Sequence, residues 1–209
     1  MCKRSRGYFI VVEGADGVGK STVLKLLLPM LMESGQYSGF RFFHWKPVKG
    51  EIHDGGIPET VPHDPRGKEP RNTLMSFVYL KYHWLTFLFG YFKYIRPALQ
   101  NGWLVVGDRY SYDVYLDPRR FRLNLPKWIL RAYVRTLPPP DMVLALVAKP
   151  ETIVARKQEL SIDEIKAYQN QLESGIIPNL LLVTADASPD EVAQDAFLQI
   201  SAALKTSKR

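Results

Sequence analysis

Gly14, Gly19, Lys20 and Ser21 stand at the spacing G-x-x-x-x-G-K-[ST], and each residue type there suits the holding of a phosphate chain. Glycines let the backbone turn so that successive N–H groups face an anion. A helix opening directly behind the loop adds its positive N-terminal end. Lys20 would reach the outer phosphates, and the Ser21 hydroxyl would ligate Mg2+. Asp16 and Gly17 within the loop and Thr22 just after it complete this candidate nucleotide-phosphate site. The alternative, a glycine-rich turn without a ligand, leaves the lysine and both hydroxyls unused.

A second group of residues closes the run "WLVVGDRYSYD", 103–113. A carboxylate ending a strand beside a phosphate loop holds Mg2+ directly or through water, which gives Asp108 its expected role. Arg109 can neutralise phosphate charge with a two-pronged fork. In "DPRRFR", 117–122, Arg119, Arg120 and Arg122 read either as a solvated basic turn or as an anion clamp. Lys46, leaving the second strand, joins Asp16, Arg109 and these arginines as candidates for an acceptor pocket. Arg156 and Lys157 in "ARKQELS" read either as lid cations on the moving phosphoryl group or as ordinary surface pairs. Glu13 stands directly before Gly14, and a resemblance to P-loop kinases that carry a base at this place would give it that role towards a hydroxyl acceptor.

These side chains need a frame. Strands are expected at about 8–13, 40–45, 103–108, 142–148 and 180–184. Helices are expected at about 21–34, 73–99, 126–136, 151–173 and 189–205. Strand–helix alternation predicts one α/β domain over 1–209, a five-stranded parallel sheet with helices on both faces. The 151–173 helix would serve as a lid. Residues 47–72 hold five of the chain's 15 prolines, so neither helix nor strand should run through them. That segment reads as an acceptor-side loop or a plain linker. In 74–95, Phe77, Leu80, Trp84, Leu88, Tyr91 and Ile95 recur at helical spacing, predicting one buried stripe. A packed helix, a membrane-surface helix and a span are the three readings of this apolar stretch; Lys81, His83 and Lys93 interrupt it.

The chain has 209 residues, 46% of them hydrophobic, a net charge of +7 and one cysteine. Basic balance suits anionic ligands in general. A single cysteine, Cys2, excludes an internal disulfide framework and fits a reducing, cytoplasmic setting. Beside its basic neighbours Cys2 reads as a free thiol or a lipidation site.

With these elements in order, the chain resembles the thymidylate kinases of the nucleoside-monophosphate kinase class. The resemblance is carried by E-G-x-D-G-x-G-K-S-T, "IRPALQNGWLVVGDRY", "PDMVLAL" and "TADASPDEV". It implies a P-loop kinase fold and γ-phosphoryl transfer from ATP with Mg2+. It implies further that Asp186, Ala187 and Ser188 lie near the adenine, that Asp16 positions the acceptor, and that Arg109 faces the acceptor phosphate. The chain departs from the family where acceptors are recognised. "HWKPVKGEIHDGG" replaces Arg-Glu-Pro-Gly-Gly, "YDVYLDPRRFR" replaces Ser-x-x-Ala-Tyr-Gln, and the arginine-rich lid shrinks to "ARKQELSIDE".

Three functions stay open on these residues: a nucleoside-monophosphate kinase, a kinase of a sugar, sugar phosphate or nucleoside hydroxyl, and a nucleotide-binding regulator. The absence of Asn-Lys-x-Asp argues against a GTPase switch. Expected partners are ATP and a small anionic acceptor, with a homodimer as an option, and neither nucleic acid nor stable membrane insertion.

Overall fold

The computed structural model describes residues 6–34, 36–58 and 69–207. Cys2 and residues 59–68 of the proline-rich segment lie outside them. Among the described residues six strands form one sheet. They are β1 (Tyr8–Glu13), β2 (Phe40–His44), β3 (Ile52–Asp54), β4 (Leu104–Asp108), β5 (Met142–Val147) and β6 (Leu180–Thr184), in the order β3-β2-β4-β1-β5-β6. Five are the expected parallel strands. The sixth, β3, pairs antiparallel with β2 and corrects the expectation that 47–72 holds no strand. Between Pro47 and Pro58 no proline blocks the ladder, and Arg41 on β2 grips Asp54 on β3 with two 2.7 Å hydrogen bonds.

Every residue of β4 and all but the first of β1 are buried, as parallel strands covered on both faces must be. Register fixes what emerges at the carboxyl rim. Val12 of β1 and His44 of β2 both lie beside Asp108 of β4. A shift by one residue would turn Asp108 to the other face of the sheet.

The helices are α1 (Lys20–Glu33), α2 (Thr73–Gly90), α3 (Arg96–Gln100), α4 (Asp113–Leu116), α5 (Lys127–Arg135), α6 (Pro150–Arg156), α7 (Ile162–Leu172) and α8 (Pro189–Ser207). Two expected helices are interrupted. The 73–99 helix passes through a π-turn at Tyr91–Ile95 before α3; Pro97 lacks the N–H that would continue an α-helical ladder there. The 151–173 lid helix is two helices. Lys157 is extended, and Ser161 with Glu164 forms a reciprocal capping box that starts α7 afresh.

Of the expected stripe, Leu80 and Ile95 are buried, Trp84, Leu88 and Tyr91 are half-buried against the core, and Phe77 is 45% exposed; the fully buried line of α2 is Ser76, Leu80, His83, Phe87 and Gly90. The helix carries large apolar groups all round, so hydrophobicity alone does not select a face. Close approach selects it: a Cβ on Gly90 would sit 2.2 Å from the Pro47 carbonyl oxygen. Phe87 then meets Tyr110 edge-on, and Tyr110 meets Phe9 likewise. No helix among the described residues is long and apolar enough to cross a membrane.

Candidate active site

β1 ends at Glu13 and α1 begins at Lys20. Gly14, Gly17 and Gly19 between them take φ of 149°, 88° and 107°, a region that only glycine enters cheaply. A Cβ at Gly14 would also lie 2.7 Å from the Leu146 carbonyl oxygen. Gly19 caps α1 without a side-chain bond, and the first turn holds no acidic residue. The positive end of a 14-residue helix is therefore open to an outside anion.

Lys20 folds back over this loop and donates to the carbonyl oxygens of Gly14 (2.8 Å) and Ala15 (3.1 Å). Burial, with Arg109 nearby, lowers its ammonium to about 8. Ser21 and Thr22 are exposed at the loop mouth. Asp108 is buried within reach of the Lys20 charge; its Oδ2 accepts from Nδ1 of His44 at 3.1 Å, while its Oδ1 has no partner. Burial alone would raise this carboxylate, but the His44 bond and the Lys20 and Arg109 charges hold it below its usual value.

An anionic oxygen with no donor is costly to bury. The orphaned Oδ1 of Asp108 and the open Ser21 hydroxyl are hard oxygen donors of the kind Mg2+ takes. No cluster of three or more His, Cys, Asp or Glu able to hold a metal occurs among the described residues. A magnesium ion here would need phosphate oxygens to complete its shell.

On the donor side, a cavity of about 280 Å3 is lined by Val18, Gly19, Thr22, Val23, Arg156, Ala185, Ala187, Pro189 and Val192. Arg156 ties its two walls together, donating to the carbonyl oxygens of Val18 (3.2 Å) and Ala185 (3.0 Å). Of the three residues implied for the adenine, only Ala187 lines this cavity. Asp186 accepts from the Lys149 N–H, and Ser188 exchanges hydrogen bonds with Glu191 at the start of α8.

On the acceptor side, Arg109 is 3% exposed. It forks onto Asp113 at 2.7 and 2.9 Å and reaches Asp16 at 2.5 Å. Arg120 reaches the other oxygen of Asp16 and lies 3.5 Å from Asp117. The other members of the expected pocket part company. Arg119 is exposed and pairs with Glu164. Arg122 donates to the Glu69 carbonyl oxygen. Lys46 is partly buried with its ammonium 5.0 Å from the centre of the Trp45 ring. The five cations therefore do not form one cluster: Arg109 and Arg120 converge, and the remaining three do not join them. Arg109, Trp45 and Arg122 all take positive φ, of 75°, 65° and 55°, and such strain gathers at functional sites.

Glu13 lies behind this pair with 0% exposure. It accepts from the Tyr110 N–H (3.1 Å), and the Tyr168 hydroxyl, with one proton to give, lies 3.4 Å from its other oxygen and 3.2 Å from Asp113. Burial first, and Asp113 second, raise its carboxyl well above the usual value. It faces protein rather than an open site. Sequence reasoning missed His44, Trp45, Asp113 and Tyr168. Asp113 was findable four residues after Arg109; Tyr168 carried no signal.

A phosphate loop at the end of a central strand, a strand-end Asp beside it and converging arginines define a P-loop phosphotransferase site. The family model described as Thymidylate kinase matches residues 12–175, and the chain belongs to that family. A probable thymidylate kinase of Methanosarcina barkeri is 27% identical, over 93% of this chain and 96% of its own length. The thymidylate kinase of Schizosaccharomyces pombe is 25% identical, over 90% and 88%. The solved thymidylate kinase of Candida albicans superposes with a TM-score of 0.55 at 19% identity, over 94% of this chain and 92% of that one. At that identity the superposition speaks for the fold.

Proposed function

We propose that the protein is an ATP-dependent kinase that transfers the γ-phosphoryl group to a nucleoside monophosphate. One observation carries the choice of acceptor. Two guanidinium groups, Arg109 and Arg120, close on a single carboxylate, Asp16, at the mouth of the phosphate loop. Guanidinium forks suit phosphate as they suit carboxylate. The base that a hydroxyl acceptor would want, Glu13, is fully buried, and one of its oxygens takes the Tyr110 N–H. A phosphate acceptor needs alignment and neutralisation more than a base. Next to Arg109 in space, the backbone N–H of Trp45 donates to the Asp108 carbonyl oxygen, and its half-buried ring packs at 5.5 Å from Phe121. Membership of the thymidylate kinase family favours an acceptor carrying a base over a bare sugar phosphate.

In this reading an oxygen of the acceptor phosphate attacks the γ-phosphorus as the bond to the β-bridging oxygen breaks, and ADP leaves. Lys20 swings from the loop carbonyls to the outer phosphates, and Arg156 closes the donor pocket. Ser21 and Asp108 would hold Mg2+, which would supply charge neutralisation at the phosphates. The single cysteine supports a cytoplasmic setting as part of the same reading.

A homodimer through α2 belongs to this proposal as well. Val78, Tyr82, Leu85, Phe89 and Phe92 follow one another at three- and four-residue steps and are each 50–61% exposed. With Leu74, Met75 and Phe77 they offer, at roughly 100 Å2 apiece, about 800 Å2, the area one partner contributes to a standard interface.

The test is ADP release with ATP and Mg2+ against nucleoside monophosphates, nucleosides and sugar phosphates. Turnover with a monophosphate is expected. Turnover confined to nucleosides or sugars would overturn the reading.

A further inference from the structure

His44 ends β2, Asp108 ends β4, and the two lie side by side in the parallel ladder. An ionised carboxylate only accepts hydrogen bonds, so His44 Nδ1 carries the proton in its 3.1 Å contact with Asp108 Oδ2. The next residue adds a second tie, since the Trp45 N–H donates to the Asp108 carbonyl oxygen at 2.9 Å. To make that bond Trp45 takes a φ of 65°, which a bulky side chain adopts only when its surroundings hold it there. The end of β2 thus grips Asp108 by side chain and by backbone, and leaves the buried Oδ1 without a partner.

We propose that His44 is a positioning residue for magnesium: by holding Oδ2 of Asp108 it presents Oδ1 to the ion at the donor phosphates. This rests on the reading of Asp108 as the metal-facing carboxylate. A carboxylate anchored at one oxygen cannot turn about its Cβ–Cγ bond, so the free oxygen keeps one direction. Partners of metal ligands act in this way, and their loss costs about 10- to 100-fold in metal affinity. His44 is one-third exposed, so its removal sacrifices little packing. A surface pair without a role in metal binding would leave metal affinity where it was.

The experiment measures Mn2+ binding to the protein–ADP complex by electron paramagnetic resonance, with calorimetric ADP affinity in the absence of metal. His44→Ala should raise the Mn2+ Kd about 10-fold. His44→Asn, which keeps an N–H near the place of Nδ1, should restore most of it. Metal-free ADP affinity and the melting temperature should stay at wild-type values in both. An unchanged Mn2+ Kd in His44→Ala, with weakened binding in Asp108→Asn, would overturn the proposal and spare the role of Asp108. Unchanged binding in Asp108→Asn would overturn both. Equal losses in His44→Ala and His44→Asn would show that the hydrogen bond is not the means. Weaker metal-free ADP binding in His44→Ala would make His44 a direct nucleotide contact instead.

Discussion

Arg109 and Arg120 hold the two oxygens of one carboxylate, that of Asp16, although the first directly follows β4 and the second sits in a turn 11 residues further on. An acceptor phosphate arriving here meets cations already gathered at one point, and it shares or displaces Asp16. Arg120→Ala should raise the acceptor KM or lower kcat so that kcat/KM falls about 10- to 100-fold. That corresponds to the roughly 1.5–3 kcal/mol of a hydrogen bond to a charged group. The KM for ATP should stay within about twofold. Arg119→Ala is the control: an exposed pair such as Arg119–Glu164 contributes about 0–1 kcal/mol. Steady-state kinetics in both substrates compares the two variants, and equal effects would remove Arg120 from the pocket.

Glu13 separates the two kinds of acceptor. A positioned general base is worth about 10^2 to 10^4 in rate. Because Glu13 is fully buried and one of its oxygens takes the Tyr110 N–H, Glu13→Gln should keep kcat within about tenfold of wild type. Stability gives an independent readout. The folded-state pKa of Glu13 is raised above its unfolded value. Its contribution is therefore fully present below the unfolded pKa and is lost as pH rises through the folded one. Glutamine, neutral throughout, avoids that loss. Glu13→Gln should melt above wild type at pH 8, and the gap should close towards pH 5. A kcat loss of 10^3 with an unchanged melting curve would make Glu13 the base and the acceptor a hydroxyl.

Lys20 makes donor binding depend on pH. Burial brings its ammonium to about 8. Bound phosphates must raise it again, since a nearby anion favours the charged form. A group whose pKa rises on binding takes up a proton, so ATP affinity should fall as pH climbs above about 8, by at most tenfold per unit. Calorimetry at pH 8.5 in buffers of different ionisation enthalpy should show uptake of roughly 0.5–1 proton per ATP. Lys20→Met should abolish the uptake and most of the turnover. Uptake persisting in that variant would assign the proton to another group.

The parts of this molecule legible in its sequence are those set by local chemistry. Glycines 14, 17 and 19 require positive φ whatever surrounds them, and the β-branched run of β1 reads as a buried strand without its partners. Tertiary constraints were not legible. The rotation of α2 follows from the seat of Gly90 on Pro47, a contact 43 residues apart in the chain. The dispersal of Arg119, Arg120 and Arg122 follows from a tight turn in which Arg122 adopts φ of 55°, so that neighbouring side chains leave in different directions. His44 became visible as a partner of Asp108 only once β2 and β4 were adjacent and in register.

The exposed face of α2 yields the last prediction. Isolated apolar side chains on a surface need no explanation, but a contiguous row of this size does. Val78, Tyr82, Leu85, Phe89 and Phe92 repeat with the spacing of a helix–helix seam. Lys93 lies 5.1 Å from the centre of the Phe89 ring and Arg96 5.7 Å from that of Phe92. The row is thus bordered by cations at its C-terminal end. Two copies packed antiparallel would keep these like charges far apart, whereas parallel packing would bring them together. An antiparallel twofold dimer is therefore expected, with apolar burial at about 25 cal/mol per Å2 as its driving force. Sedimentation at micromolar concentration should give a dimer for wild type and a monomer for Phe89→Glu. Phe89 is 61% exposed, so the substitution should leave the circular dichroism and the melting of the monomer nearly unchanged. A wild-type protein that stays monomeric at tens of micromolar would exclude this face as a self-association surface.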